Sequence, residues 1–218
     1  MKHPGLVGAF LLAALVLLLP YPAPGAPAMP ASPESLKALV ITGLADAEKG
    51  LNDYSSQVKL KLSVSFGSLS TRLDLDGTFY YKSPRRCALK VHNGPPLINK
   101  YPQVFSWCLR RCDTGLWKVK GLNDGFYLAE CTPGKGELEK QELWIDKKDF
   151  TIPYEELSYA REGKVKITST FRNVEDFTLY DTVKASVSFP ASQVKAYIHM
   201  KHGACSINKG IPESVFEK

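Results

Sequence analysis

From Val58 onward most of this chain alternates apolar and polar residues with a period of two, and that pattern limits it to a β-rich fold. Val58, Leu60, Leu62, Val64 and Phe66 point one way while Lys59, Lys61, Ser63 and Ser65 point the other, as in a strand with one wet face. Leu73, Leu75, Gly77, Phe79 and Tyr81 repeat the pattern against Arg72, Asp74, Asp76, Thr78 and Lys82, until Ser83-Pro84 breaks the strand. Cys87, Leu89 and Val91 resume it. Phe105, Trp107 and Leu109 follow, then Trp117 and Val119, Phe126 and Leu128, and Leu143 and Ile145. Similar segments lie around Leu157 and at Val165 to Phe171, Phe177 to Leu179, Ala185 to Phe189 and Tyr197 to Met200. Turn residues such as Asn93-Gly94-Pro95-Pro96, Asn123-Asp124-Gly125 and Pro133-Gly134-Lys135-Gly136 separate them, so about eleven or twelve short strands joined mostly by hairpins are predicted.

One helix precedes the strands. Leu36, Leu39, Val40, Leu44, Ala47 and Leu51 recur at three- and four-residue intervals, the pattern of a single apolar stripe. Ser32 suits its N-cap, Pro33 its first position and Glu34 the positive end of its dipole, and Asn52-Asp53 ends it. A further turn of helix is predicted over Glu137 to Gln141. Eleven strands about 4.8 Å apart would make a sheet roughly 50 Å wide, which curls or splits. A seventeen-residue helix, about 25 Å long, shields roughly a quarter to a third of one face. Three architectures remain: a closed barrel filled by its own side chains, a sandwich, or an open half-barrel whose hollow holds an apolar guest.

Lys2, the apolar run Leu6 to Leu19 and the small residues Ala26-Pro27-Ala28 read as an export signal over residues 1–28. The run is fourteen residues long, short of the roughly 20 that span a bilayer as a helix. Residues 29–33 form a Pro/Ala-rich tether and 34–218 one domain. Export places Cys87, Cys108, Cys112, Cys131 and Cys205 where disulfides form, and the odd count leaves at least one unpaired. Among the first four, three pairings are open, and reduced buried cysteine or one structural disulfide is the expectation. Cys108-x-x-x-Cys112 lacks the second Cys or His pair of a structural zinc site, so no metal is predicted.

The 28 basic residues exceed the 22 acidic ones, giving a net charge of +6, yet only the doublets Arg85-Arg86, Arg110-Arg111 and Lys147-Lys148 cluster, so no nucleic-acid stripe is expected. The chain has no Gly-x-Ser-x-Gly elbow, phosphate loop or dinucleotide glycine pattern. His199 and His202, three apart on a strand, fall on opposite faces, and with His92 they read as surface histidines. No nucleophile, base and orienting group come together, so no catalysis and no cofactor are expected.

The order of these features resembles the bacterial outer-membrane lipoprotein carriers, the LolA/LolB-like superfamily. The resemblance is carried by the signal, the amphipathic helix, Gly77-Thr78-Phe79-Tyr80-Tyr81-Lys82-Ser83-Pro84, Leu143-Trp144-Ile145-Asp146-Lys147-Lys148 with Ile152-Pro153, and the closing Ile207-Asn208-Lys209-Gly210-Ile211-Pro212-Glu213-Ser214-Val215-Phe216. It spans most of the mature chain. It implies a curved antiparallel half-barrel of about eleven strands with the N-terminal helix against its concave face. It further implies a periplasmic monomer that shelters lipid acyl chains or a lipoprotein, exchanging them with membrane-bound donor and acceptor proteins. An envelope sensor or protein-interaction module on the same fold is the alternative. Where the carriers place a lid-bonding arginine and a cavity-mouth aromatic, this chain has Ser83 and Cys87. The inward sets nominate Leu73, Leu75, Phe79, Tyr81, Leu89, Trp107 and Trp117 as the cavity wall.

Overall fold

The computed structural model describes residues 32–83, 86–94, 114–121, 125–134 and 136–216. A helix, α1 (Pro33–Ala47), is followed by ten strands: β1 (Asp53–Phe66), β2 (Leu69–Lys82), β3 (Arg86–Val91), β4 (Lys118–Gly121), β5 (Phe126–Cys131), β6 (Leu138–Asp146), β7 (Tyr154–Tyr159), β8 (Gly163–Val174), β9 (Phe177–Phe189) and β10 (Val194–Ile207). All ten belong to one antiparallel sheet in the order β3-β2-β1-β10-β9-β8-β7-β6-β5-β4. Its two ends, β3 and β4, do not pair, so the sheet is an open, curved half-barrel and the closed barrel and the sandwich fall away. Every connection along the sheet is to a chain neighbour except one: β1 and β10 lie side by side, with Tyr54 opposite Ile207.

The alternation read from the sequence becomes a continuous inner face. One row runs Leu73, Leu62, Ile198, Ala185, Ile167, Glu155, Leu143, Ala129, Val119 across nine strands, apolar at every step except Glu155. Glu155 is buried, and Gln141, also buried, donates from Nε2 to its Oε1 at 2.6 Å. That bond satisfies part of a carboxylate whose desolvation is otherwise costly.

Two apolar clusters share this face. The larger is built from β1, β2, β3, β8, β9 and β10 around Leu60, Phe79, Leu179 and Met200. The smaller joins α1 to β4, β5 and β6 through Val40, Leu44, Trp117, Val119, Leu143 and Ile145. α1 docks there by a narrow line, Leu36, Val40, Gly43 and Leu44. A Cβ on Gly43 would lie 2.2 Å from the Phe150 ring, so glycine is what lets the loop after β6 press against the helix.

Several expectations need correction. α1 ends at Ala47, before a turn, and Leu39 is 48% exposed, so the apolar stripe is narrower than its leucines suggest. Glu137 to Gln141 is no helix, since β6 begins at Leu138. Phe177 to Leu179 and Ala185 to Phe189 are the two ends of one strand, β9. Phe126 and Leu128 lie opposite Asp146 and Trp144, on the outer face, while Tyr127 and Ala129 face inward with Ile145 and Leu143. Cys87 and Cys131 are both disulfide-bonded, and Cys205 is a free thiol. The strand expected at Phe105, Trp107 and Leu109 lies outside the described residues.

His202 is a further correction. His199 lies on the outer face opposite Lys61, but His202, opposite Val58, is only 1% exposed. Ser56 supplies its partner: Ser56 Oγ and His202 Nδ1 share a 2.7 Å hydrogen bond inside the sheet. Burial, and then the Arg172 guanidinium, push its pKa down to about 4, so the ring is neutral at ordinary pH.

After β10 the chain turns back over the ends of β1 to β3. Asn208, with φ of 51°, accepts from the amides of Asn52 and Asp53 through Oδ1 and donates from Nδ2 to the Gly50 carbonyl. The Asp53 carboxylate accepts from the amides of Lys209 and Gly210. Farther on, Arg86 grips Glu213 with two hydrogen bonds, of 2.7 and 3.0 Å, Lys82 binds the same carboxylate, and the Arg86 guanidinium lies over the Phe216 ring. The two cations hold the Glu213 pKa down to about 2.

Candidate functional site: a cavity on the inner face

Between the end of α1 and the larger cluster the inner face is not filled. A partly enclosed cavity of about 670 Å³ lies there, within the range of roughly 300–1,000 Å³ usual for small-molecule sites. Its wall draws on Leu44 and Ala47 of α1, Leu51, Tyr54 of β1, Phe79 and Tyr81 of β2, Phe150 and Ile152 of the loop after β6, and Ile167 and Phe171 of β8. Phe177, Leu179, Tyr180 and Val183 of β9 and Met200 of β10 complete the apolar lining.

Five of the lining aromatics form one connected group through the His202 ring. Tyr54 stacks on Tyr81 at 5.4 Å and tilts against Phe79 at 5.8 Å; Phe79 meets the His202 ring edge-on at 5.2 Å, and Tyr180 bridges His202 and Phe171. Offset and edge-on rings at these spacings hold one another in place, which keeps the wall rigid.

Polar groups stand at defined points of this lining. Tyr81 donates from its hydroxyl to Glu48 Oε2 at 3.0 Å, tying β2 to the turn after α1 across the cavity rim. Tyr54 is 3% exposed and its hydroxyl, buried among rings, has no hydrogen-bond partner. Burial raises its pKa well above the ordinary tyrosine value, with Tyr180 and Cys205 adding to the effect. Asp46, Glu48, Asp149 and Asp176 also line the cavity, with Lys49 among them. The buried Ser56–His202 pair is not part of the lining. Among the described residues no group of three or more His, Cys, Asp or Glu side chains is placed to hold a metal.

The structure divides the residues nominated from the sequence. Phe79 and Tyr81 line the cavity. Leu75 and Leu89 are packed in the larger cluster and Leu73 lies at its border, none of them on the cavity wall. Trp117 is buried in the smaller cluster with α1. Trp107 lies outside the described residues. Tyr54, Ile167, Phe171, Leu179, Tyr180, Val183 and Met200 were not nominated. Alternation did mark β8 and β9, and the register shift at Thr170/Phe171 leaves Asp181 of β9 without a cross-strand partner on β8, so only the β9 residues before it, Tyr180 and Leu179 among them, shift against β8.

The fold has solved counterparts. It is similar to a DUF1329 family protein from Desulfovibrio piger, with a TM-score of 0.57 and 12% identity over 85% of this chain and 97% of that one. It is similar also to a putative outer membrane lipoprotein-sorting protein domain from Vibrio parahaemolyticus, with a TM-score of 0.54 and 11% identity over 82% and 95% of the two chains. A LolA superfamily protein from Nitrosomonas europaea aligns at a TM-score of 0.48 and 11% identity. The first two likenesses establish a shared fold. No protein-family model and no curated protein matches the sequence. No helix among the described residues is long and apolar enough to cross a membrane.

Proposed function

We propose that this chain is an exported carrier that shelters the acyl chains of a lipid or lipoprotein in its cavity and performs no chemistry on them. The observation that carries the reading is the partly enclosed, aromatic and aliphatic cavity of about 670 Å³ on the inner face. Each methylene moved from water into such a wall gains about 0.8 kcal/mol, so ten contribute roughly 8 kcal/mol before ordering costs. That is enough for tight yet reversible binding. The fold shared with a putative lipoprotein-sorting domain supports the same reading. In this proposal residues 1–28 are the export signal, the folded domain works in the periplasm as a monomer, and membrane-bound proteins load and unload it. Phe79 and Tyr81, with Tyr54, Phe171 and Tyr180, are the proposed contacts of the acyl chain.

Organic extraction of the purified protein followed by mass spectrometry tests this, together with titration of a fluorescent fatty acid. Bound lipid, or saturable uptake that weakens at least tenfold in Val183→Trp, is the expected result. A lipid-free extract combined with no uptake overturns it.

A further inference from the structure

The cavity leaves the outer face of the sheet unexplained. On four neighbouring strands, β8, β9, β10 and β1, the outward positions of residues 164–170, 182–188, 195–201 and 57–65 carry seven lysines and no carboxylate. They are Lys59, Lys61, Lys164, Lys166, Lys184, Lys195 and Lys201, all exposed, and together they exceed the net charge of +6 on the whole chain. Lys59 stands directly opposite Lys201, and His199 stands between Lys61 and Lys184. Like charges paired across a sheet destabilise it, so folding alone does not account for the arrangement. Acids flank the field rather than fill it: Glu156 of β7 binds Lys164 and Lys166, and Asp74 and Asp76 of β2 stand opposite Lys61 and Lys59. Lys184, Lys195 and Lys201 face only serine, threonine, histidine or lysine across the sheet.

An aromatic side chain accompanies the charge. Tyr197, outward on β10 between Lys195 and His199, lies within the field at 47% exposure, whereas Phe66 and Leu69 at the tip of the β1–β2 hairpin alternate with Ser65 and Ser70 and belong to the opposite face. A field of long-stemmed lysines around an exposed tyrosine ring fits a surface that is anionic outside and apolar just beneath. We infer that this face docks on an anionic lipid bilayer, the lysines meeting phosphate-bearing headgroups while the Tyr197 ring enters the interfacial layer. The inference does not depend on what the cavity holds.

Co-sedimentation with vesicles of phosphatidylcholine, alone or mixed with phosphatidylglycerol, tests it at low and high salt. Binding to the mixed vesicles, weakened by salt, is expected, with little to phosphatidylcholine alone. The triple variant Lys59→Ser, Lys184→Ser, Lys201→Ser is expected to bind about a hundredfold more weakly, at about 1 kcal/mol for each lysine near the surface. The control triple Lys90→Ser, Lys118→Ser, Lys120→Ser, equal in charge but on β3 and β4, outside the four-strand field, retains binding. Tyr197→Ser removes the part that survives high salt. Circular dichroism confirms that each variant is folded. Failure of the parent protein to bind mixed vesicles, equal binding to both vesicle types, an equal loss in the control triple, or tighter binding to a DNA duplex than to the mixed vesicles overturns the inference.

Discussion

The two ends of the inner face are built to different standards. Over β4 to β6, α1 lays Val40, Gly43 and Leu44 onto Leu143 and Ile145, and Phe150 fills the notch at Gly43. Toward β8, β9, β1 and β2 the same face keeps a cavity of about 670 Å³ and, beside it, a tyrosine hydroxyl without a partner and a neutral histidine. Among the described residues the one α-helix covers the first region and leaves a cavity in the second. The contrast teaches that burial is not filling: Phe79 and Met200 are as hidden as Leu143, yet they border empty volume.

The largest effect expected from breaking this contrast is in the packed region. Leu143→Ala should lower unfolding free energy by about 2–5 kcal/mol, measured by urea denaturation, because the surrounding side chains are already interlocked. Val183→Ala, on the cavity wall, should cost distinctly less and instead widen the range of ligands accepted. Next comes acid. Above the ordinary histidine pKa of 6.5 both folded and unfolded chains hold His202 neutral. As pH falls from there toward about 4, the unfolded chain takes up a proton that the folded one refuses, so stability drops by about 3 kcal/mol. His202→Gln should flatten that slope in denaturation curves recorded across the same interval.

Smaller and opposite in sign is Tyr54→Phe. Removing a buried hydroxyl that has no partner should leave stability unchanged or raise it by about 1 kcal/mol, whereas Gln141→Leu, which strips a partner from Glu155, should destabilise. The smallest effect is at the rim of the sheet. Glu213→Gln should loosen the segment after Ile207 with little change in global unfolding, detected as faster amide exchange at Asn208 to Gly210. The parent should show the same loosening only as pH falls from 4.5 toward 2, since a depressed carboxylate holds its salt bridges until it is protonated.

The strands were legible because their faces differ in polarity: β1, β2 and β3 place Leu60, Leu75, Phe79 and Leu89 inside as the alternation requires. β5 was not, because Phe126 to Ala129 is apolar on both faces and the period no longer marks a side. Nor could the pattern show that β10 slips register between His202 and Cys205, where Ser56 meets Cys205 but Val58 meets His202. The cavity wall was only half visible for the same reason. Alternation announces which side chains point inward, and whether their neighbour is another strand or open space depends on where α1 settles. Narrowing of the helix contact to Leu36, Val40, Gly43 and Leu44 depended on Phe150, a residue distant in sequence.

The pairing of β1 with β10 sets the order in which this molecule can be finished. A chain delivered N-terminus first, whether from a ribosome or through a membrane pore, must keep one long edge of β1 waiting until Val194 to Ile207 arrives. Hairpins can form early, but the two arms of the sheet join only at the last step, so completion is slow and requires the final strand to be free.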